Sequence, residues 1–99
     1  MRKTYEALYE FVESLQPFVK KDAWGTTGGM FHTELFVGEP WEAIDTLLRG
    51  LAEDGVNVPD EVLTRIEEEV LPAFAEKREL REYRGLIAAE RERRAPAAA

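Results

Sequence analysis

Apolar residues recur with a helical period through most of this chain, and proline and glycine divide the pattern into segments. Tyr5, Leu8, Val12, Leu15 and Val19 fall on one face, widened by Phe11 and Phe18, which predicts an amphipathic helix over residues 4–16. Thr4 is placed to cap it, and Glu6 sits in the first turn, where a carboxylate suits the helix dipole. Pro17 lacks an amide hydrogen and restricts its neighbour, so the helix is expected to end or kink near Gln16. From Lys20 to Met30 the period disappears, and Trp24-Gly25-Thr26-Thr27-Gly28-Gly29 reads as a mobile loop. Within it, Trp24 is expected to fold back onto the core as a plug, because large aromatics bury most of their area.

Between Met30 and Val37 the residues Phe31, Leu35 and Phe36 fit a short helix. The alternation in Phe31-His32-Thr33-Glu34-Leu35 also admits a strand. Helix is preferred, since no second strand pattern exists to pair with it. Gly38 then stands where a left-handed cap is expected. Pro40 opens the next helix at a position where its missing amide costs nothing. Trp41, Ile44, Leu47, Leu48 and Leu51 form its apolar stripe, Gly50 is an internal weakness that admits a close neighbour, and Gly55 closes it. Val56 and Val58 should point inward across a short turn, and Pro59 should start a helix carrying Val62, Leu63, Ile66, Val70, Leu71 and Phe74, bent at Pro72. Beyond Glu76, Leu80, Tyr83, Leu86 and Ile87 mark a charged final helix. The prediction is an all-α fold, a small bundle of four to five helices, with one domain over residues 1–90 and a frayed tail over 91–99.

Composition narrows the function classes. With 99 residues there is room for one core. The chain has no cysteine, hence no disulfide or thiolate chemistry. No apolar leader follows Met1 and no run reaches membrane length, so the expected location is cytoplasmic, without membrane contact. Residues 1–76 hold 16 Asp and Glu against 6 Lys and Arg, a balance of −10, while residues 77–99 hold 4 against 7, a balance of +3. An acidic body of this kind repels nucleic acid and attracts basic protein surfaces. It also serves solubility without any partner.

No residue set converges on catalysis. His32 is the sole histidine and Ser14 the sole serine, and Ser14 lacks a nucleophile-elbow motif. Glu67-Glu68-Glu69 fans out around a helix and cannot gather on one metal. Asp54-Gly55 and Asp60-Glu61 lack the alternating oxygens of a calcium loop, and the glycine-rich segment 25–29 lacks the Lys-Ser/Thr ending of a phosphate loop. Glu79, Glu82, Glu90 and Glu92 interleave with the C-terminal arginines, which suggests an ion-paired helix and not a nucleic-acid stripe. The expectation is a binding protein without cofactor, metal or enzymatic activity. Trp41 ringed by Glu39, Glu42 and Asp45 forms one expected contact patch, and Glu53, Asp54, Glu67 and Glu68 a second. Trp41 has a competing role in the core, since it begins the apolar stripe.

Gly38-Glu39, Ala43-Ile44-Asp45-x-Leu47, Leu51-Ala52-Glu53 and Val56-x-Val58-Pro59 together resemble the small helical immunity proteins of Maf-type polymorphic toxin systems. The likeness spans about residues 34–66. Pro40-Trp41 replaces a small or tyrosine-bearing pair, and the segments around 25–29 and after Phe74 exceed the family pattern. The resemblance implies a protein that binds and neutralises a cognate secreted toxin domain, often a nuclease, by occlusion. It implies interface roles for Glu39, Glu42 and Asp45. The alternative is a helical adaptor that self-associates through its C-terminal helix.

Overall fold

The computed structural model describes residues 1–96. It is an all-α bundle, as the apolar spacing predicts, and no strand forms among the described residues. Helix α1 spans Tyr5–Glu13, and the Thr4 hydroxyl accepts the Ala7 amide at 3.1 Å as its cap. Leu8, Phe11, Val12 and Leu15 face inward. Pro17 turns the chain into one short 3-10 turn, Gln16–Phe18. The following residues pair with the segment before α4: Lys20 donates to the Gly55 carbonyl and Asn57 to the Phe18 carbonyl, both at 2.8 Å.

Helix α2, Thr27–Phe36, begins earlier than its pattern indicates. Thr26 caps it by accepting the Gly29 amide at 3.0 Å, so Gly28 and Gly29 belong to the first helical turn and not to a loop. They are glycines because the backbone of residues 20–23 lies against that turn. A Cβ on Gly28 would overlap the Lys20 carbonyl oxygen, and one on Gly29 the Ala23 carbonyl oxygen. The preceding turn is closed by Thr26 N–H to the Ala23 carbonyl (3.2 Å), with Gly25 at φ +100°. Trp24 rides on this turn and is 69% exposed, so it is not a core plug.

Helix α3, Pro40–Arg49, is the centre of the bundle and packs against α1, α2 and the last helix. Ala43, Ile44, Leu47, Leu48 and Leu51 are all buried. The helix stops before Gly50, earlier than the expected end at Gly55, and the side chain of Thr27 occupies the space a Gly50 Cβ would need. Val56 and Val58 are buried as predicted.

Helix α4, Asp60–Arg65, passes through one wide π turn, Ile66–Val70, into α5, Leu71–Phe74. The Leu71 amide reaches back five residues to the Ile66 carbonyl, so the backbone widens just ahead of Pro72, which has no amide to contribute. Helix α6 spans Lys77–Arg94 and starts with reciprocal Glu76 and Glu79 caps. It buries Tyr83, Ile87 and Glu90. The sequence places fraying from residue 91, but the helix continues to Arg94. Arg91 binds Glu67 at 2.8 Å, Asp60 at 3.1 Å and the Thr64 hydroxyl at 2.7 Å, which fastens this end to α4. The last three residues of the expected tail, 97–99, lie outside the described residues. Burial pushes the Glu90 carboxyl up, yet the hydrogen bonds from Arg93 and Arg94 outweigh it and hold the group below the usual range.

Candidate partner-binding site

The chain turns from α2 to α3 in three residues, Val37-Gly38-Glu39. The Glu39 amide donates to the Glu34 carbonyl at 2.8 Å and the Gly38 amide to the Leu35 carbonyl at 3.0 Å. Gly38 sits at φ +82°, which completes a Schellman cap. Tyr5 reaches from α1 and donates its hydroxyl to the Gly38 carbonyl at 2.9 Å. The three amides of this corner are thus tied to α2, and the Gly38 carbonyl to α1.

The corner holds two apolar side chains in solvent. Phe36 is 87% exposed and Val37 62%, while Phe31 and Leu35 take the inward positions of α2. Glu39 and Glu42 stand beside them at the start of α3, exposed and without an ion pair among the described residues. Glu34 is half-buried and accepts the Thr46 hydroxyl at 2.5 Å. Its carboxyl is raised above the ordinary value, mainly by desolvation, with Glu42 and Asp45 adding repulsion.

That shift sets a pH dependence. A carboxyl raised in the fold favours folding most when protonated, and the contribution is lost as pH rises through its folded value. Glu34→Gln, which keeps an acceptor for Thr46, should melt above the parent at pH 7. The gap should close as pH falls below the ordinary glutamate value. Thermal melts across pH check this.

Asp45 does not belong to the exposed patch. One of its oxygens accepts the Tyr83 hydroxyl at 2.7 Å and Arg49 Nε at 2.9 Å. Arg49 also reaches Glu82 at 2.6 Å and lies over the Tyr83 ring at 5.7 Å. Burial, then the Asp45 bond, raises the Tyr83 hydroxyl. Asp45 thus pins α6 to α3. Trp41 is likewise half-buried, edge-on to Tyr83 at 5.7 Å and tilted against Phe74 at 6.4 Å. It packs at the rim of the core, as its place in the stripe suggests.

Charge reversal should separate these roles. Asp45→Lys strands the Tyr83 hydroxyl, leaves Arg49 with Glu82 alone and sets a like charge beside it, and should cost about 1–2 kcal/mol of stability. Glu42→Lys should stay within about 0.5 kcal/mol. Urea unfolding of both variants gives the comparison.

The second expected patch is not assembled. Glu53 and Asp54 line a depression of about 310 Å³ with Lys20, Asp22 and Gly28. Glu67 is committed to Arg91, and Glu68 is exposed away from that depression.

A groove of about 500 Å³ between α1 and α2 has no counterpart in the sequence pattern. Phe36 stands at its edge, and Tyr9, Glu13, Asp22 and His32 help to line it. His32 Nε2–H donates to the Val19 carbonyl at 2.6 Å, while its Nδ1 is buried without a partner. Tyr9 stacks on Tyr5 at 5.9 Å, so aromatic surface continues from the groove to the α2–α3 corner. Among the described residues, no group of three or more His, Asp or Glu side chains is placed to hold a metal ion. No helix among them is long and apolar enough to cross a membrane. No family model, curated protein or solved structure matches the chain.

Proposed function

We propose that this chain is an inhibitory binding protein that docks a basic protein surface through its α2–α3 corner. Its partner would be a toxin domain of the kind neutralised by the immunity proteins it resembles, within the cytoplasm. The observation that carries this reading is the pair Phe36 and Val37, held in solvent on a capped turn anchored to α1 and α2, beside Glu39 and Glu42. A preorganised apolar anchor loses little entropy on binding. Neighbouring carboxylates steer a cationic partner and raise the rate of encounter. The net charge of −7 acts in the same sense at longer range. An acidic face of this kind would compete with the phosphates that a nuclease groove is built to hold.

Co-purification of the tagged chain with the product of the adjacent upstream gene, repeated across salt concentration, tests the proposal. A one-to-one complex that weakens as salt rises supports it. Absence of a complex at every salt concentration overturns it.

The second reading, an adaptor that self-associates through α6, draws on the outward side of that helix. Arg78, Arg81 and Arg84 are exposed there without an ion pair among the described residues, beside the exposed small residues Gly85 and Ala88. Truncation after Glu76 does not separate the two readings, because it removes Tyr83, Ile87 and Glu90 from the core. Sedimentation of the full chain carrying Arg81→Glu and Arg84→Glu is the appropriate comparison. Parent oligomers that these substitutions dissolve would favour the adaptor.

A further inference from the structure

We infer that the α1–α2 groove is a subsite for a cationic side chain, an arginine or lysine contributed by the docked protein. For its biological occupant this rests on the reading above, while its chemistry stands on the groove itself. The cleft of about 500 Å³ lies within the range of roughly 300–1,000 Å³ typical of ligand sites. Tyr9 and Phe36 give it aromatic surface, and a guanidinium stacks on such faces through charge–quadrupole attraction. Glu13 and Asp22 supply two carboxylates against the single ammonium of Lys21.

The two carboxylates differ in how far they are already used. One Asp22 oxygen accepts the Ala23 amide at 2.9 Å, which fixes its position at the groove. Glu13 is exposed, and its side chain has no ion pair among the described residues. Its backbone carbonyl alone is engaged, by the Gln16 side chain at 3.2 Å. A cation entering here gains an unpaired partner without first breaking a native bond. His32 adds no competing donor at Nε2, because that N–H is committed to the Val19 carbonyl.

The groove and the α2–α3 corner share Phe36, so one bound segment can place an apolar contact on Phe36 and Val37 and a cation beside Glu13. This is a two-point match. A partner surface with an apolar residue flanked by arginine fits it, and a purely apolar or acidic one does not. Glu10, on the same helix, lies on a different depression with Phe11, Arg65 and Glu69, and serves as a charge-matched control.

The test is an amide-resonance titration of the full chain with N-acetylarginine amide, against the uncharged isostere N-acetylcitrulline amide. The arginine compound should give saturable shifts centred on Tyr9, Glu13, Asp22 and His32, at least fivefold tighter than the citrulline compound. Glu13→Lys should remove them, and Glu10→Lys should leave them within twofold. Equal binding of the two compounds would overturn the inference, as would shifts spread evenly over all acidic faces or equal effects of the two substitutions. If the subsite binds arginine but no protein complex forms, the functional reading fails alone. If the complex forms and the titration shows nothing at the groove, the subsite fails alone.

Discussion

Gly29→Ala should destabilise this protein by about 3 kcal/mol, against the direction helix propensity dictates. Alanine in place of glycine within an exposed helix interior gains about 1 kcal/mol. Here the added methyl would overlap the Ala23 carbonyl oxygen, and the carbonyl carbon behind it and the Asp22 carbonyl oxygen also crowd it. These are backbone atoms. They cannot move aside as the tip of a side chain would. The Ala23 carbonyl also accepts both the amide and the hydroxyl of Thr26 (3.2 and 2.8 Å), so displacing it breaks the turn that precedes α2. Overpacking of this kind costs about 1–3 kcal/mol before hydrogen bonds are counted. Gly85→Ala is the matched control: it lies exposed within α6 with nothing near its added methyl, and should gain up to about 1 kcal/mol. Urea unfolding of both variants measures the opposite signs. A gain for Gly29→Ala, matching that of Gly85→Ala, would show that α2 does not start against the 20–23 backbone.

Phe36→Asp should weaken the protein complex by about 2–3 kcal/mol, roughly 30- to 150-fold, while the melting temperature stays near the parent's. The separation follows from exposure. Phe36 leaves most of its ring in water, so the free protein loses little packing when the ring is removed. A partner seated on the corner would cover that ring, and losing a central aromatic contact carries the largest single cost at an interface. Glu42→Lys should act more on the association rate and its salt dependence than on dissociation.

The amino-acid pattern was most readable where periodicity and punctuation agreed. Pro40, the stripe from Ile44 to Leu51 and Gly38 at φ +82° all stand in the structure where spacing and cap chemistry put them. Pattern failed where a contact distant in sequence decides the local backbone. Gly28 and Gly29 read as loop because glycine weakens helices, but both are required by the irregular backbone of residues 20–23 laid against them. Trp24 read as core on size alone, and the hydrogen-bonded turn beneath it holds it outward. Asp45 looked like one of several surface carboxylates because its partner, Tyr83, is 38 residues away. Arg91 looked like part of a frayed end for the same reason, since Asp60, Thr64 and Glu67 come from another helix. The exposed pair Phe36 and Val37 left only a partial trace in the sequence. Val37 falls outside the Phe31–Leu35 phase, immediately before a capping glycine, whereas Phe36 fits the helical pattern and is nevertheless turned into solvent.

Calorimetric titration of the adjacent upstream gene's product into the parent and into Phe36→Asp decides whether a basic protein seats on the α2–α3 corner. A one-to-one complex is expected for the parent, and an affinity at least 30-fold weaker for the variant, with matched melting temperatures. Equal affinity for the two proteins would contradict it, and would place the binding surface elsewhere on the bundle.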